Sequence, residues 1–194
     1  MPDLSISLEA TSPLEAYWSG REPASWKTES LCLQEVTGLC AVLVTGSLQA
    51  ESLSLSDDGS LFLSNKPNRA SGQSAWSLWL APNQWLLTST QLEGEFTKQL
   101  QAALPDDFTI TAASSSRCAI DISGEAAEQL LNKGCGLNIS SGVFMVGDCA
   151  QTVFAQVDIL LQKLSEEPSF RVFVGRSEAD YLWRWLIASA GEFS

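Results

Sequence analysis

Cys135 and Cys149 stand fourteen positions apart in KGCGLNISSGVFMVGDCAQT, residues 133–152, and are two of five cysteines in the chain. Thiols of this kind can ligate a metal, form a redox pair or act as a nucleophile. A structural zinc site usually takes four ligands, often as C-x₂₋₄-C pairs completed by histidine. These two cysteines are not such a pair, and the chain has no histidine. A nucleophilic thiol needs a helix N-terminus or a cationic neighbour to stabilise the thiolate. Cys135 instead follows the C-terminal end of a predicted helix, where the dipole disfavours an anion. Only Lys133 is near it in sequence. Cys149 opens a predicted strand, and a buried cysteine behaves as a small inert hydrophobe. The stretch therefore reads as a helix exit, a compact loop and a strand entry. Gly134 suits a left-handed helix terminus and Gly136 adds a second flexible point.

The missing histidine removes the usual general base near neutral pH and rules out Ser-His-Asp and Cys-His arrangements within this chain. No G-x-G-x-x-G and no P-loop is present. Asp121, in RCAIDIS, is the best isolated carboxylate candidate, although aspartate more often serves turns and strand ends. No residue is assigned a catalytic, cofactor-binding or metal-binding role. Whether the chain is an enzyme is left open, with a non-catalytic subunit of a larger enzyme favoured.

The net charge is −12 and the isoelectric point about 4.3. Residues 1–116 carry 5 basic and 13 acidic groups, and residues 117–194 carry 6 and 10. Such a surface repels phosphate backbones, so no nucleic-acid partner is expected. MPDLSISLEATS shows no secretory pattern, and the longest apolar run, LCAVLV at 39–44, is too short to cross a bilayer. Five unpatterned cysteines read as reduced thiols in a cytoplasmic protein that does not enter a membrane.

The elements that would position these groups are short. Residues 1–29 read as an extended arm that nonetheless holds Tyr17, Trp18 and Trp26. These rings either fold back on their own core or lie across a partner. LCLQEV (31–36) and LCAVLVT (39–45) read as a tight hairpin around Thr37-Gly38. Leu53, Leu55, Leu61 and Leu63 flank Asp57-Asp58-Gly59 as a small exposed hairpin. AWSLWL and QWLLTS form another hairpin, followed by a helix over 91–104 with Leu92, Phe96, Leu100 and Leu104 at four-residue steps. Residues 107–113 and 117–122 read as strands. Ser123 can cap a helix that ends at Gly134. Strands at 149–156, 158–164 and 170–174 precede a last helix, 177–191, where Ser177 and Asp180 form a capping-box variant. Residues 75–104 and 157–190 thus share the order strand, turn, strand, helix. The expected fold is α+β, with two related small subdomains at 30–116 and 117–194, each a mainly antiparallel sheet covered by helices.

LLNKGCGLNI, Phe144, Gly147, CAQT at 149–152 and SFRVFVGRSEADYLWRWL at 169–186 together resemble the gamma-subunit family of heterotetrameric sarcosine oxidase. APNQWLL at 81–87 adds to the likeness. That family is related to the folate-binding module of the glycine-cleavage T-protein, which implies the same two α+β subdomains. The resemblance implies an accessory gamma subunit, with alpha, beta and delta subunits as partners. The complex would oxidise sarcosine to glycine with release of hydrogen peroxide and transfer of the one-carbon unit to tetrahydrofolate. FAD, FMN, NAD, tetrahydrofolate and zinc would lie in the partner subunits, with no cofactor in this chain. Two alternatives stand beside it: a stand-alone folate-binding or one-carbon-transfer protein, and the same subunit in a complex acting on another secondary amine. The residues expected at a partner interface are Trp18 and Trp26 of the arm and Tyr181 and Trp185 of the last helix.

Overall fold

A computed structural model describes residues 11–140 and 142–193. In chain order the strands are β1 (Ser25–Lys27), β2 (Cys32–Val36), β3 (Cys40–Thr45), β4 (Ser52–Ser54), β5 (Phe62–Ser64), β6 (Ala70–Gly72), β7 (Ala75–Ala81) and β8 (Gln84–Ser89). Helix α1 (Glu93–Ala103) follows, then β9 (Thr109–Ala112), β10 (Arg117–Ser123) and α2 (Ala127–Gly134). The chain ends with β11 (Cys149–Phe154), β12 (Val157–Ser165), β13 (Ser169–Gly175) and α3 (Ala179–Ala190).

Two antiparallel sheets hold most of these strands. One has the order β6-β7-β8-β3-β9, the other β1-β2-β10-β13-β12-β11. β4 and β5 form a separate ribbon. Side chains of a strand alternate between faces, and both sheets bury both faces. On β3, Cys40, Val42 and Val44 meet Phe96 and Leu100 of α1, while Ala41 and Leu43 face the other sheet. On β10, Cys118, Ile120 and Ile122 meet Leu130 and Leu131 of α2 and Leu182 and Leu186 of α3, while Ala119 faces inward. Leu78, Leu86, Leu160 and Phe173 complete the layer between the sheets. The order through the molecule is therefore helix, sheet, sheet, helices.

The two sheets share one plan. β7, β8 and α1 correspond to β12, β13 and α3, and each hairpin lies beside an earlier strand, β3 or β10. The next place is filled by β9 in one sheet and by β2 in the other. β2 therefore does not pair with β3, and the expected hairpin over 31–45 is corrected. β2 lies against β10, with Leu33 opposite Ile122 and Val36 opposite Ala119. β3 already has β8 and β9 at its two edges. Thr37-Gly38 is a crossover between sheets, with Gly38 at a φ of 69°. The sheets consequently do not follow a chain division at residue 30.

Four local expectations also change. The ribbon β4–β5 exists, but Leu55, Leu61 and Leu63 are buried against the core that holds Trp85. Ser123 ends β10 and caps nothing; Ala126 precedes α2 without a side-chain cap. Neither Ser177 nor Asp180 caps α3, because a short 3₁₀ turn at Arg176–Glu178 leads into it. Gly134 is not at a positive φ. Its missing side chain makes room instead: a Cβ there would stand 2.9 Å from Phe154 and 3.0 Å from Trp185.

Candidate functional site

All five cysteines are free thiols. Cys135 is buried, with its Sγ 3.9 Å from the Thr152 hydroxyl. Cys149 lies fully buried between the sheets, with its thiol toward the Trp79 carbonyl at 3.7 Å. Burial pushes the Cys149 thiol up to about 12, and that of Cys118 likewise. Neither thiol is prepared to act as a thiolate near neutral pH. Among the described residues no group of three or more Cys, Asp or Glu is placed to hold a metal ion.

Asp121 is not an isolated carboxylate. It sits in the middle of β10 and accepts two hydrogen bonds from Arg171 of β13, at 2.7 and 2.9 Å. The two residues are direct cross-strand partners, so the fork is set by register. Lys163 is the most buried cation, 3.3 Å from Glu128 and over the Phe170 ring. Asp121–Arg171 joins two neighbouring strands and Lys163–Glu128 joins β12 to α2.

The described part of the arm folds back on the chain. Leu14 and Ala24 are fully buried in the core beneath α2 and α3. Trp18 packs on that core and donates its indole N–H to Glu35 at 2.6 Å. Glu35 also accepts from the Ser12 hydroxyl. Trp26 is half-buried against the same core. Of the last-helix pair, Trp185 meets Phe154 edge to face, with centroids 4.9 Å apart. Tyr181 is the exposed member, at 47%. The loop before β11 adds Val143 and Met145, 57% and 48% exposed. Trp18, Trp26 and Trp185 thus pack against one core, while Tyr181 is exposed.

A recess lies elsewhere. A cleft of about 620 Å³ opens between the sheets beside the Thr37-Gly38 crossover. Ala41, Ala112, Ala119 and Phe173 give it an apolar wall. Glu35, Glu93, Arg117 and Arg176 add charge at its margin. Glu93 accepts from the Ser114 hydroxyl. Arg117 is half-buried, and desolvation lowers its pKa from the usual guanidinium range. Sequence reading misses this cleft because its residues come from separate parts of the chain. Arg117 opens RCAIDIS and Arg176 closes FRVFVGR; only the antiparallel pairing of β10 and β13 brings them to one end.

Back-to-back antiparallel sheets with helices outside define a two-part α+β protein of the kind also seen in an aminomethyltransferase. The glycine cleavage system aminomethyltransferase T from Bartonella henselae superposes with a TM-score of 0.56 at 16% identity, covering 79% of this chain and 44% of that one. A chain of the heterotetrameric sarcosine oxidase from Corynebacterium sp. U-96, solved with pyrrole 2-carboxylate, superposes with a TM-score of 0.79 at 22% identity, covering 95% and 96%. Residues 61–192 match the model of the sarcosine oxidase, gamma subunit family, and the chain belongs to that family. Sarcosine oxidase subunit gamma from Corynebacterium sp. (strain P-1) is 29% identical over 118 residues, and that from Arthrobacter sp. is 26% identical over 120. Each match covers 60% of this chain and 57% of the relative, so the chain spans little more than half the length of these curated relatives. No helix among the described residues is long and apolar enough to cross a membrane.

Proposed function

We propose that this chain is the accessory gamma subunit of a multi-subunit sarcosine oxidase. Its partners would be the larger flavin-bearing subunits and a small zinc-bearing one. FAD, FMN, NAD and tetrahydrofolate would sit in those partners, and the complex would work in the cytoplasm. The observation that carries this reading is the family match over residues 61–192. The chemistry of the chain is in keeping with it: no histidine is available as a base, and its most buried thiols are held protonated. Tyr181 and the exposed pair Val143 and Met145 are the proposed partner-facing groups, since exposed aromatic and Met side chains are favoured at interfaces.

Capture of the tagged chain from its native cells tests the reading. Larger chains should co-elute, carry a flavin spectrum and release hydrogen peroxide when sarcosine is added. A chain that elutes alone and binds tetrahydrofolate would replace this reading with a stand-alone one-carbon protein. A co-eluting flavoenzyme that ignores sarcosine but oxidises another secondary amine would move the specificity to the partners.

A further inference from the structure

Three arginines each grip a carboxylate: Arg69 with Asp148, Arg171 with Asp121 and Arg184 with Asp180. Arg117 and Arg176, at the cleft, do not. Arg176 donates to the Thr11 carbonyl. The Arg117 side chain makes no hydrogen bond or ion pair among the described residues, although the residue is half-buried. In a chain with 23 acidic groups and 11 basic ones, an unclaimed guanidinium is not for want of carboxylates. The two carboxylates that share the cleft are already held. Glu35 accepts from Trp18 and Ser12, and Glu93 accepts from Ser114.

Both arginines line the cleft, Arg117 from the start of β10 and Arg176 from the turn just after β13. Arg117 stands opposite Gly175 in the β10–β13 ladder, and Arg176 is the next residue. Both side chains therefore leave the backbone at the same end of the β10–β13 pair. A half-buried cation without an acceptor carries a desolvation cost, and the planar guanidinium fork matches a carboxylate bidentately. Beside it runs the wall of Ala41, Ala119 and Phe173, in a volume of about 620 Å³. That volume lies within the usual span for small-molecule sites, about 300–1,000 Å³.

We infer that this cleft binds a small organic carboxylate with an apolar body, its carboxylate on Arg117 and Arg176 and its body along Val36 and Leu39, over the floor of Ala41 and Ala119. The site needs no partner chain, so it stands or falls apart from the subunit assignment. Ala41, Ala119 and Phe173 are nearly closed to solvent and form the floor, while the half-buried Val36 and Leu39 stand at its side.

Titration calorimetry on the full chain with 2-naphthoate and its uncharged counterpart 2-naphthamide tests this. One-site binding of the acid in the millimolar range or tighter is expected, with the amide weaker by about tenfold or more. Arg117→Gln should weaken the acid by a similar factor and leave the amide unchanged, and Arg176→Gln should act in the same direction. Thermal melting establishes that each variant is folded. If Arg117→Gln does not fold, Arg117→Lys decides, since it keeps charge and loses the fork; a reduced acid-over-amide preference is expected. Equal binding of acid and amide, no saturable binding of the acid, or a preference indifferent to Arg117 overturns the site. So does a free chain that takes up no acid while Arg117→Gln weakens capture of the partner subunits, for then the guanidinium meets a partner's carboxylate.

Discussion

Tyr17 donates its hydroxyl to Asp180 at 2.7 Å across 163 residues of chain. The same oxygen accepts from Arg184 at 2.7 Å. The Tyr17 ring lies 6.3 Å from Trp183, which is 1% exposed in the core. One residue of the arm thereby fastens the start of the chain to its last helix. Tyr17→Phe removes only the hydroxyl and should cost about 1 kcal/mol. Tyr17→Ala also removes the packing and should cost about 2 kcal/mol or more. Urea unfolding followed by tryptophan fluorescence reads both. A Tyr17→Ala midpoint equal to the parent's would mean the arm contributes nothing to the fold.

At Gly134, at the end of α2, the chain lies tightly against β11 and α3. Any Cβ would stand 2.9 Å from Phe154, 3.0 Å from Trp185 and 3.2 Å from the Ala155 nitrogen. Phe154 is fully buried and braced by Trp185, so it has little room to yield. Gly134→Ala would ordinarily favour a helix; here overpacking should dominate and destabilise by roughly 1–3 kcal/mol. Adding Trp185→Phe should recover part of that loss, and the Ala155 backbone contact should keep the rest. Chemical denaturation of the single and double variants measures both steps. A Gly134→Ala chain as stable as the parent contradicts the close packing.

The buried thiols predict an alkaline limit. Burial raises Cys118 and Cys149 from 9.0 to about 12 in the folded chain. The folded state therefore keeps protons that the unfolded chain has released once pH passes 9. Stability from these groups is complete below pH 9 and is lost as pH rises toward 12. A shift of this size has a ceiling of roughly 4 kcal/mol per thiol. Cys118→Ala with Cys149→Ala should be less stable at pH 7 through lost packing, yet decline less steeply above pH 9. Melting temperatures across pH 7–11 for both chains decide it, because other alkaline titrations are common to the two. Parallel curves would remove the thiols as the cause.

The hairpins at 75–89 and 149–165 are legible because each is a local alternation closed by a short turn. The partner of β2 is not. Residues 31–36 and 39–45 look alike, and a turn such as Thr37-Gly38 permits either a reversal or a crossover. The outcome depends on the free edge of β10, which lies about 80 residues further on. The helix caps fail for a related reason. Ser123 and Asp180 have the right chemistry for a cap, but Ser123 is taken into the β10 ladder and Asp180 accepts from Tyr17. The cleft is least legible of all. Arg117 and Arg176 carry no local pattern, and only the pairing of β10 with β13 joins them.

Helix α3 carries the last prediction. Its sequence, apolar on three sides, is compatible with a core helix and with one shared between the core and a partner. Leu182, Trp183, Leu186 and Ala190 are buried, and Trp185 packs on Phe154, so these belong to the core. Tyr181, 47% exposed, is the aromatic residue left facing outward. Removing Trp185 would therefore test packing, not association, and Tyr181 is the residue to change. Tyr181→Ser should leave the melting temperature within a degree or so, since exposed substitutions usually fall within about 0.5 kcal/mol. In the proposed complex the same change should weaken capture of the partner subunits by about tenfold or more, as expected for an aromatic anchor of roughly 2 kcal/mol. Val143→Ser with Met145→Ser tests the exposed loop before β11 in the same way. Pull-down titration and melting, run on the same samples, separate association from folding. Should Tyr181→Ser capture partners as well as the parent does, with Trp185→Ser losing fold and capture together, α3 serves the core alone and the partner surface lies elsewhere.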